Sequence, residues 1–215
     1  MKIVVFGATG NVGRQVVAEA LRRGHDVVGV VRDPVNVESP PRAKLVQGDA
    51  TKAESVASVV PGADAVVSAI SPRPNSRGLP APSLVDNARA LIEGLRQANV
   101  RRVLFVGGAG SLQGPTGQAI MDLPDFPPAY KAEATEGRDA LNIWKSEASG
   151  LDWTYVSPAA EIAPGERTGR YRTTDETLLV DAKGKSFITF QDYAVALLDE
   201  IEQPKHVAGR VGVAY

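Results

Sequence analysis

Residues 1–13, MKIVVFGATGNVG, decide how the rest of the chain is read. Residues 2–6 form a short, almost wholly apolar run, as a strand buried on both faces would. Gly7, Gly10 and Gly13 follow, and a helical pattern begins directly after them. Gly7 allows a tight turn off the strand. Gly10, lacking a Cβ, lets the backbone approach a pyrophosphate. Gly13 lets the new helix pack close to the sheet. With Thr9, Asn11 and Val12 between them, these residues would aim the first-turn N–H groups and the positive end of the helix dipole at phosphates. The strand before and the helix after are the context such a cradle needs. The alternative is a βα turn with no ligand.

Working outward, Val16, Val17, Ala20 and Leu21 fall at helical spacing, and Gly24 stops the run. Residues 26–31 (DVVGVV) are a second buried strand, which completes a βαβ unit. A Pro- and Glu-containing connection over 35–43 leads to a short strand at 44–47, a short helix at 55–60 and a fourth strand at 63–69. Residues 70–82 hold four prolines and read as a long loop past a strand's carboxyl end. An amphipathic helix spans 83–99, with Leu84, Ala88, Leu91, Ile92 and Leu95 on one face. Strand 102–106, an irregular segment 112–128, a long helix 129–149 and strand 152–156 follow, with Trp144 and Trp153 as core. Beyond them the alternation weakens. Short strands are expected at 167–172, 178–180 and 187–189, a helix at 191–202 and a last strand at 207–214. The order predicts an α/β fold: a Rossmann-like, doubly wound, mostly parallel sheet with helices on both faces. One domain over 1–215 is expected, with a small C-terminal lobe from about 160–190.

Composition narrows the function. The 215 residues are 43% hydrophobic and 23% charged, with a net charge of −1, which leaves no electrostatic footprint for nucleic acid or an anionic membrane. There is no cysteine, so disulfides and thiolate chemistry are excluded, and two histidines do not make a histidine-rich metal site. No metal is expected. No apolar run approaches a membrane span and no signal pattern opens the chain, so a cytoplasmic location is the default.

In a doubly wound sheet the ligand lies at the carboxyl edge of the strands. Arg32 ends the second strand, where an acidic residue would bind a ribose 2′-hydroxyl; an arginine suits a 2′-phosphate instead, so NADP(H) is expected over NAD(H). Arg14 either adds charge near the phosphates or faces solvent. Asp49 either accepts from the adenine amino group or caps the short helix after it. Ala69 and Ile70 lie where the middle of the cofactor would pass.

The stretches GATGNVG, VVRDP, GD at 48–49 and DAVVSA resemble an atypical short-chain dehydrogenase/reductase. VGGAGSL, DFPPAYKAEA, DWTYVSPAAEIAPGERTG, LLVDAKG and FQDYAVALLDEIE resemble, more narrowly, bacterial proteins provisionally named NADH-flavin reductases, related to biliverdin reductase B/flavin reductase and to the NmrA-like group. The resemblance runs nearly end to end. It implies that Ser157, Pro158 and Ala159 flank the nicotinamide, that Gly108, Ala109 and Ser111 form the opposite wall, and that Phe126, Pro127 and Tyr130 border the substrate. Most short-chain dehydrogenases carry a Tyr-x-x-x-Lys pair and a strand-end Ser. Here Ala134 stands four residues after Tyr130, and Gly107 and Gly108 occupy the strand end, leaving Ser111 and Tyr130 as candidate catalytic residues. Hydride transfer to a flavin or quinone does not need the pair, since solvent can supply the proton. The expectation is an NAD(P)H-dependent reductase with a small-molecule acceptor, a flavin being substrate and not tightly bound cofactor, working as a monomer or homodimer. The alternatives are an NmrA-type redox sensor and, more remotely, an epimerase or dehydratase.

Overall fold

A computed structural model describes residues 1–34, 43–73 and 80–215. The connection read at 35–43 therefore lies outside the described residues except for Ala43, as do residues 74–79 of the proline-rich loop.

Strand β1 (Lys2–Phe6) is central and takes parallel partners on both sides, β2 (Asp26–Val31) and β4 (Ala65–Ser68). That placement is why the run is apolar at successive positions: side chains alternate between faces and both are covered. With β3 (Lys44–Gln47), β5 (Arg102–Val106), β6 (Asp152–Pro158), β8 (Arg172–Thr174) and β10 (Gly209–Ala214), the main sheet has the order β3-β2-β1-β4-β5-β6-β10-β8. Among the described strands of this sheet only β8 is antiparallel. A separate parallel pair joins β7 (Glu161–Ala163) and β9 (Phe187–Thr189).

The helices cover the sheet in two layers. Helices α1 (Asn11–Arg22) and α5 (Phe190–Glu202) pack over Ile3, Val5, Val67, Leu104 and Val211. Helices α2 (Ala53–Val59), α3 (Leu84–Gln97) and α4 (Lys131–Glu147) pack over Val4, Phe6, Val66, Phe105 and Tyr155. The chain winds out from β1 to β3 and returns to β4 on the other side. This puts a topological switch, and the crevice that goes with it, at the carboxyl ends of β1 and β4.

The C-terminal region departs from expectation. The stretch 167–172 forms a strand only from Arg172, because the buried Asp192 carboxylate at the start of α5 accepts from Thr168 N–H (2.8 Å), Gly169 N–H (2.7 Å) and Thr168 Oγ1 (2.5 Å). Side-chain partners there replace a strand ladder. Residues 178–180 form no strand; Leu178 N–H donates to Gln113 carbonyl instead. The segment 112–128 carries a 3-10 turn at Ile120–Asp122, and another at Pro128–Tyr130 leads into α4.

Candidate functional site

The glycine loop has the geometry its spacing predicts. Gly7 sits at φ +73°, and a Cβ on it would lie 2.6 Å from Ala69 carbonyl oxygen, so the loop and the end of β4 touch backbone to backbone. A Cβ on Gly13 would fall 2.0 Å from Gly7 carbonyl oxygen; only glycine lets α1 start this close to the strand it leaves. Gly10 is the cap residue of α1, offers no side chain to the first-turn N–H groups, and lies exposed with Thr9 and Asn11. The first turn of α1 holds no acidic residue. Donors and dipole therefore point outward uncompensated, an anion site by construction. Arg14 folds back over the loop, its Nη2 donating to Thr9 carbonyl (3.0 Å) and its Nε to Gly10 carbonyl (3.3 Å), which brings a guanidinium to the rim.

Ala69 N–H donates to Phe6 carbonyl (3.0 Å), and the Ile70 side chain closes over Gly7. Arg32 leaves the end of β2 and donates from Nη1 to Pro80 carbonyl (2.7 Å), spanning from the second strand to the return of the β4–α3 loop. Asp49 does not cap α2, which begins after Lys52. Its Oδ1 instead accepts from Thr51 N–H (2.9 Å) and Thr51 Oγ1 (2.7 Å), an Asx turn that holds the carboxylate at the sheet edge. Below it lies a link that the sequence reading missed. Buried Ser68 Oγ donates to Asn87 Oδ1 (2.7 Å), and Asn87 Nδ2 donates to Ala50 carbonyl (2.8 Å), joining β4, α3 and the turn after β3. The available signal was a lone Asn on the apolar face of α3.

The second wall comes from the turn after β5. Gly107 N–H donates to Val156 carbonyl (2.8 Å), and the Tyr155 ring fills the space above Gly107, 1.9 Å from where a Cβ would be. Tyr155 hydroxyl donates to Gly137 carbonyl (2.8 Å) and lies 3.4 Å from Gly108 N–H. Burial pushes its pKa up to about 12, against smaller opposing effects of Gly108 N–H and the Arg210 charge. Gly110 packs on Ala134 of α4. Lys131 is turned away to Met121 carbonyl and Asp122 Oδ1 (3.1 Å). Ser157, Pro158 and Ala159 are buried at the end of β6, with Gly107 hydrogen-bonded beside them.

The two candidate catalytic hydroxyls are not hydrogen-bonded to each other. Ser111 is half-buried and its oxygen accepts from Arg210 Nη2 (3.2 Å). Tyr130 is 53% exposed, its ring under the Arg73 guanidinium at 5.8 Å, and Arg73 is itself held by Glu133 (2.6 Å). In the C-terminal region Arg167 grips Glu19 of α1 (2.8 and 2.9 Å). Glu161 pairs with Lys185 (3.1 Å). His25 is structural, bonded to Glu202 (2.7 Å). Among the described residues no cluster of potential ligands could hold a metal ion, and no helix is long and apolar enough to cross a membrane.

Residues 7–204 match the model of a family described as NAD(P)H-binding, from the first glycine of the loop to just past the end of α5. The chain belongs to this NAD(P)H-binding family. Within it, the chain is 38% identical over 210 residues to the uncharacterized protein YwnB of Bacillus subtilis, covering 96% of this chain and 94% of that one. Two solved structures superpose along its full length. One, from Bacteroides thetaiotaomicron and provisionally named an epimerase, is 38% identical with a TM-score of 0.86 and 96% of its chain covered. The other, from Streptococcus pneumoniae and provisionally named an NADH-flavin reductase, is 32% identical with a TM-score of 0.85 and 99% of its chain covered. The Gly7–Gly13 cradle fits the nicotinamide cofactor that the NAD(P)H-binding family implies, since exposed Gly10 puts no side chain over the uncapped first turn of α1, whose amides would hold a pyrophosphate.

Proposed function

We propose that this chain is an NAD(P)H-dependent oxidoreductase that passes hydride to a flavin, a quinone or a similar conjugated acceptor. The observation that carries the reading is what fills the places where a short-chain dehydrogenase keeps its strand-end serine and the lysine of its Tyr-Lys pair. The strand-end position is glycine, closed by the Tyr155 ring, and the helix position is Ala134, packed on Gly110. Carbonyl chemistry needs an acid or base within hydrogen-bond reach, whereas hydride transfer to a conjugated ring needs chiefly position.

In this reading Gly7, Thr9, Gly10, Asn11, Val12 and Gly13 bind the pyrophosphate, helped by Arg14. Arg32 binds a 2′-phosphate, which makes NADPH the preferred donor. Asp49 accepts from the adenine amino group, and Ala69 and Ile70 pass beneath the middle of the molecule. Gly108, Ser157, Pro158 and Ala159 border the nicotinamide. When bound, the reduced dinucleotide supplies the hydride. The chain's own part is to hold two flat rings face to face, with Tyr130 and Phe126 bordering the acceptor and the walls keeping water off the reacting faces.

Calorimetric titration of the cofactor-free protein with NADPH and NADH, followed by addition of FMN, riboflavin or a quinone, tests the reading. Tight, NADPH-selective binding with acceptor-dependent oxidation supports it. Binding without oxidation by any acceptor moves the assignment to a redox sensor. Absence of binding by either dinucleotide overturns it.

A further inference from the structure

Strand β10 is apolar apart from one residue. Arg210 lies opposite Tyr155 of β6, and its side chain is 4% exposed. Taking a guanidinium out of water is costly unless its partners compensate, and an apolar residue of similar volume is often no worse. Here the compensation is incomplete: Nε is buried without a partner among the described residues, and the paired carboxylate, Glu176 at 3.3 Å, is half exposed. Two of the hydrogen bonds the guanidinium does make converge on a single residue. Nη1 donates to Ser111 carbonyl (3.0 Å) and Nη2 to Ser111 Oγ (3.2 Å). Ser111 belongs to the turn after β5, at the carboxyl edge of the sheet.

A serine hydroxyl has one proton and two lone pairs. With Arg210 donating into one lone pair, the O–H bond is directed elsewhere, and the adjacent cation makes it a stronger donor. Resting on the reductase reading above, we propose that Arg210 is a positioning residue that orients and polarises Ser111, so that the Ser111 O–H donates to the acceptor as negative charge develops on it. Hydride transfer breaks the C–H bond of the reduced nicotinamide and moves hydrogen with its electron pair onto the acceptor. The nicotinamide is oxidised, and a neutral flavin or quinone is reduced by two electrons and left anionic until water protonates it. A fixed donor at that atom, backed by a buried cation, is electrostatic stabilisation that does not require proton transfer in the same step. It gives the fold a substitute for the missing pair built from β10 and the β5–α4 turn.

A double-mutant cycle tests this, with NADPH oxidation by riboflavin or a quinone as the rate and calorimetric NADPH affinity as the second readout. Ser111→Ala and Arg210→Met are each expected to lower kcat by about 100-fold, the scale of losing one such donor. The double variant is expected to fall no further, because both changes remove one function. NADPH affinity stays within about twofold in all of them, and Arg210→Lys, which keeps the charge, recovers part of the rate. Should Arg210→Met not fold, Arg210→Lys with Ser111→Ala closes the same cycle. Losses that multiply in the double variant, Arg210→Met turning over like the parent, or cofactor affinity falling in step with kcat would each overturn the assignment. A parent protein that binds NADPH but reduces no acceptor would overturn the reductase reading as well, which separates the two failures.

Discussion

At Gly107 the Tyr155 ring stands where a side chain would go, so the serine of the usual dehydrogenase pattern has no room there. Gly107→Ser is therefore expected to destabilise the fold by about 1–3 kcal/mol or more through overpacking, without gaining ketone reduction. Thermal unfolding and a carbonyl-substrate assay check both halves. The proposed preference for NADPH rests on Arg32 in the same direct way. Arg32→Asp is expected to weaken NADPH binding by about 10-fold or more, the value of one charge-assisted contact, while NADH affinity changes little. Calorimetry with both dinucleotides decides it, and equal losses would remove the 2′-phosphate role. Arg32 also holds Pro80 carbonyl, so the same titrations run on Arg32→Lys separate the phosphate contact from the loop contact.

Among the elements, α3 does more than bury an apolar stripe. Its Asn87 side chain reaches both Ser68, at the end of β4, and Ala50 carbonyl, in the turn after β3. Those two chain ends carry Ala69 and Asp49, so one amide sets the level of both against the glycine loop. Asn87→Ala leaves a buried hydroxyl and a carbonyl unpaired, at a cost of about 1–3 kcal/mol. The expected outcome is a lower urea midpoint together with weaker dinucleotide affinity. A stability loss with unchanged affinity would confine Asn87 to packing. Helix α1 shows the opposite economy: it begins without a side-chain cap or an acidic first turn, and that deficit is what suits it to an anion.

Over the whole molecule, the C-terminal segment is fastened to the first βαβ unit through charge. Glu19 of α1 is buried and holds Arg22, Arg23 and Arg167, while Arg23 also reaches Asp199 and Glu202 of α5. Burial works against ionisation of Glu19, but hydrogen bonds from Arg22, Arg167 and Arg23 outweigh it and hold the carboxyl well below the usual range. A carboxylate whose pKa is depressed on folding stabilises in full above its unfolded value of about 4.3 and loses that contribution as pH falls toward the folded value. Glu19→Gln is thus expected to cost about 3 kcal/mol at pH 7, the scale of breaking a buried pair. Its deficit against the parent should shrink as pH falls below about 4. Urea unfolding at a series of pH values measures the convergence, and a deficit independent of pH would mean that Glu19 acts by packing alone.

The residue order by itself determined the doubly wound sheet and the place of the cradle. Strand β1 is apolar at successive positions because it is buried on both faces, and glycine spacing at a strand–helix junction is a local steric requirement; both are written in neighbouring residues. The boundaries of β1, β2, β3 and β5 were legible for the same reason. What lay beyond local pattern was every contact made at long separation. Asn87 read as one more position on a helix, Arg210 as one more residue in a last strand, and Asp49 as either an adenine contact or a cap. The strands expected at 167–172 and 178–180 yielded to Asp192 and Gln113, side-chain and backbone partners that lie distant in sequence. Only the packed tertiary structure decides which buried polar group meets which, because a hydrogen bond depends on positions in space that no periodicity along the chain encodes.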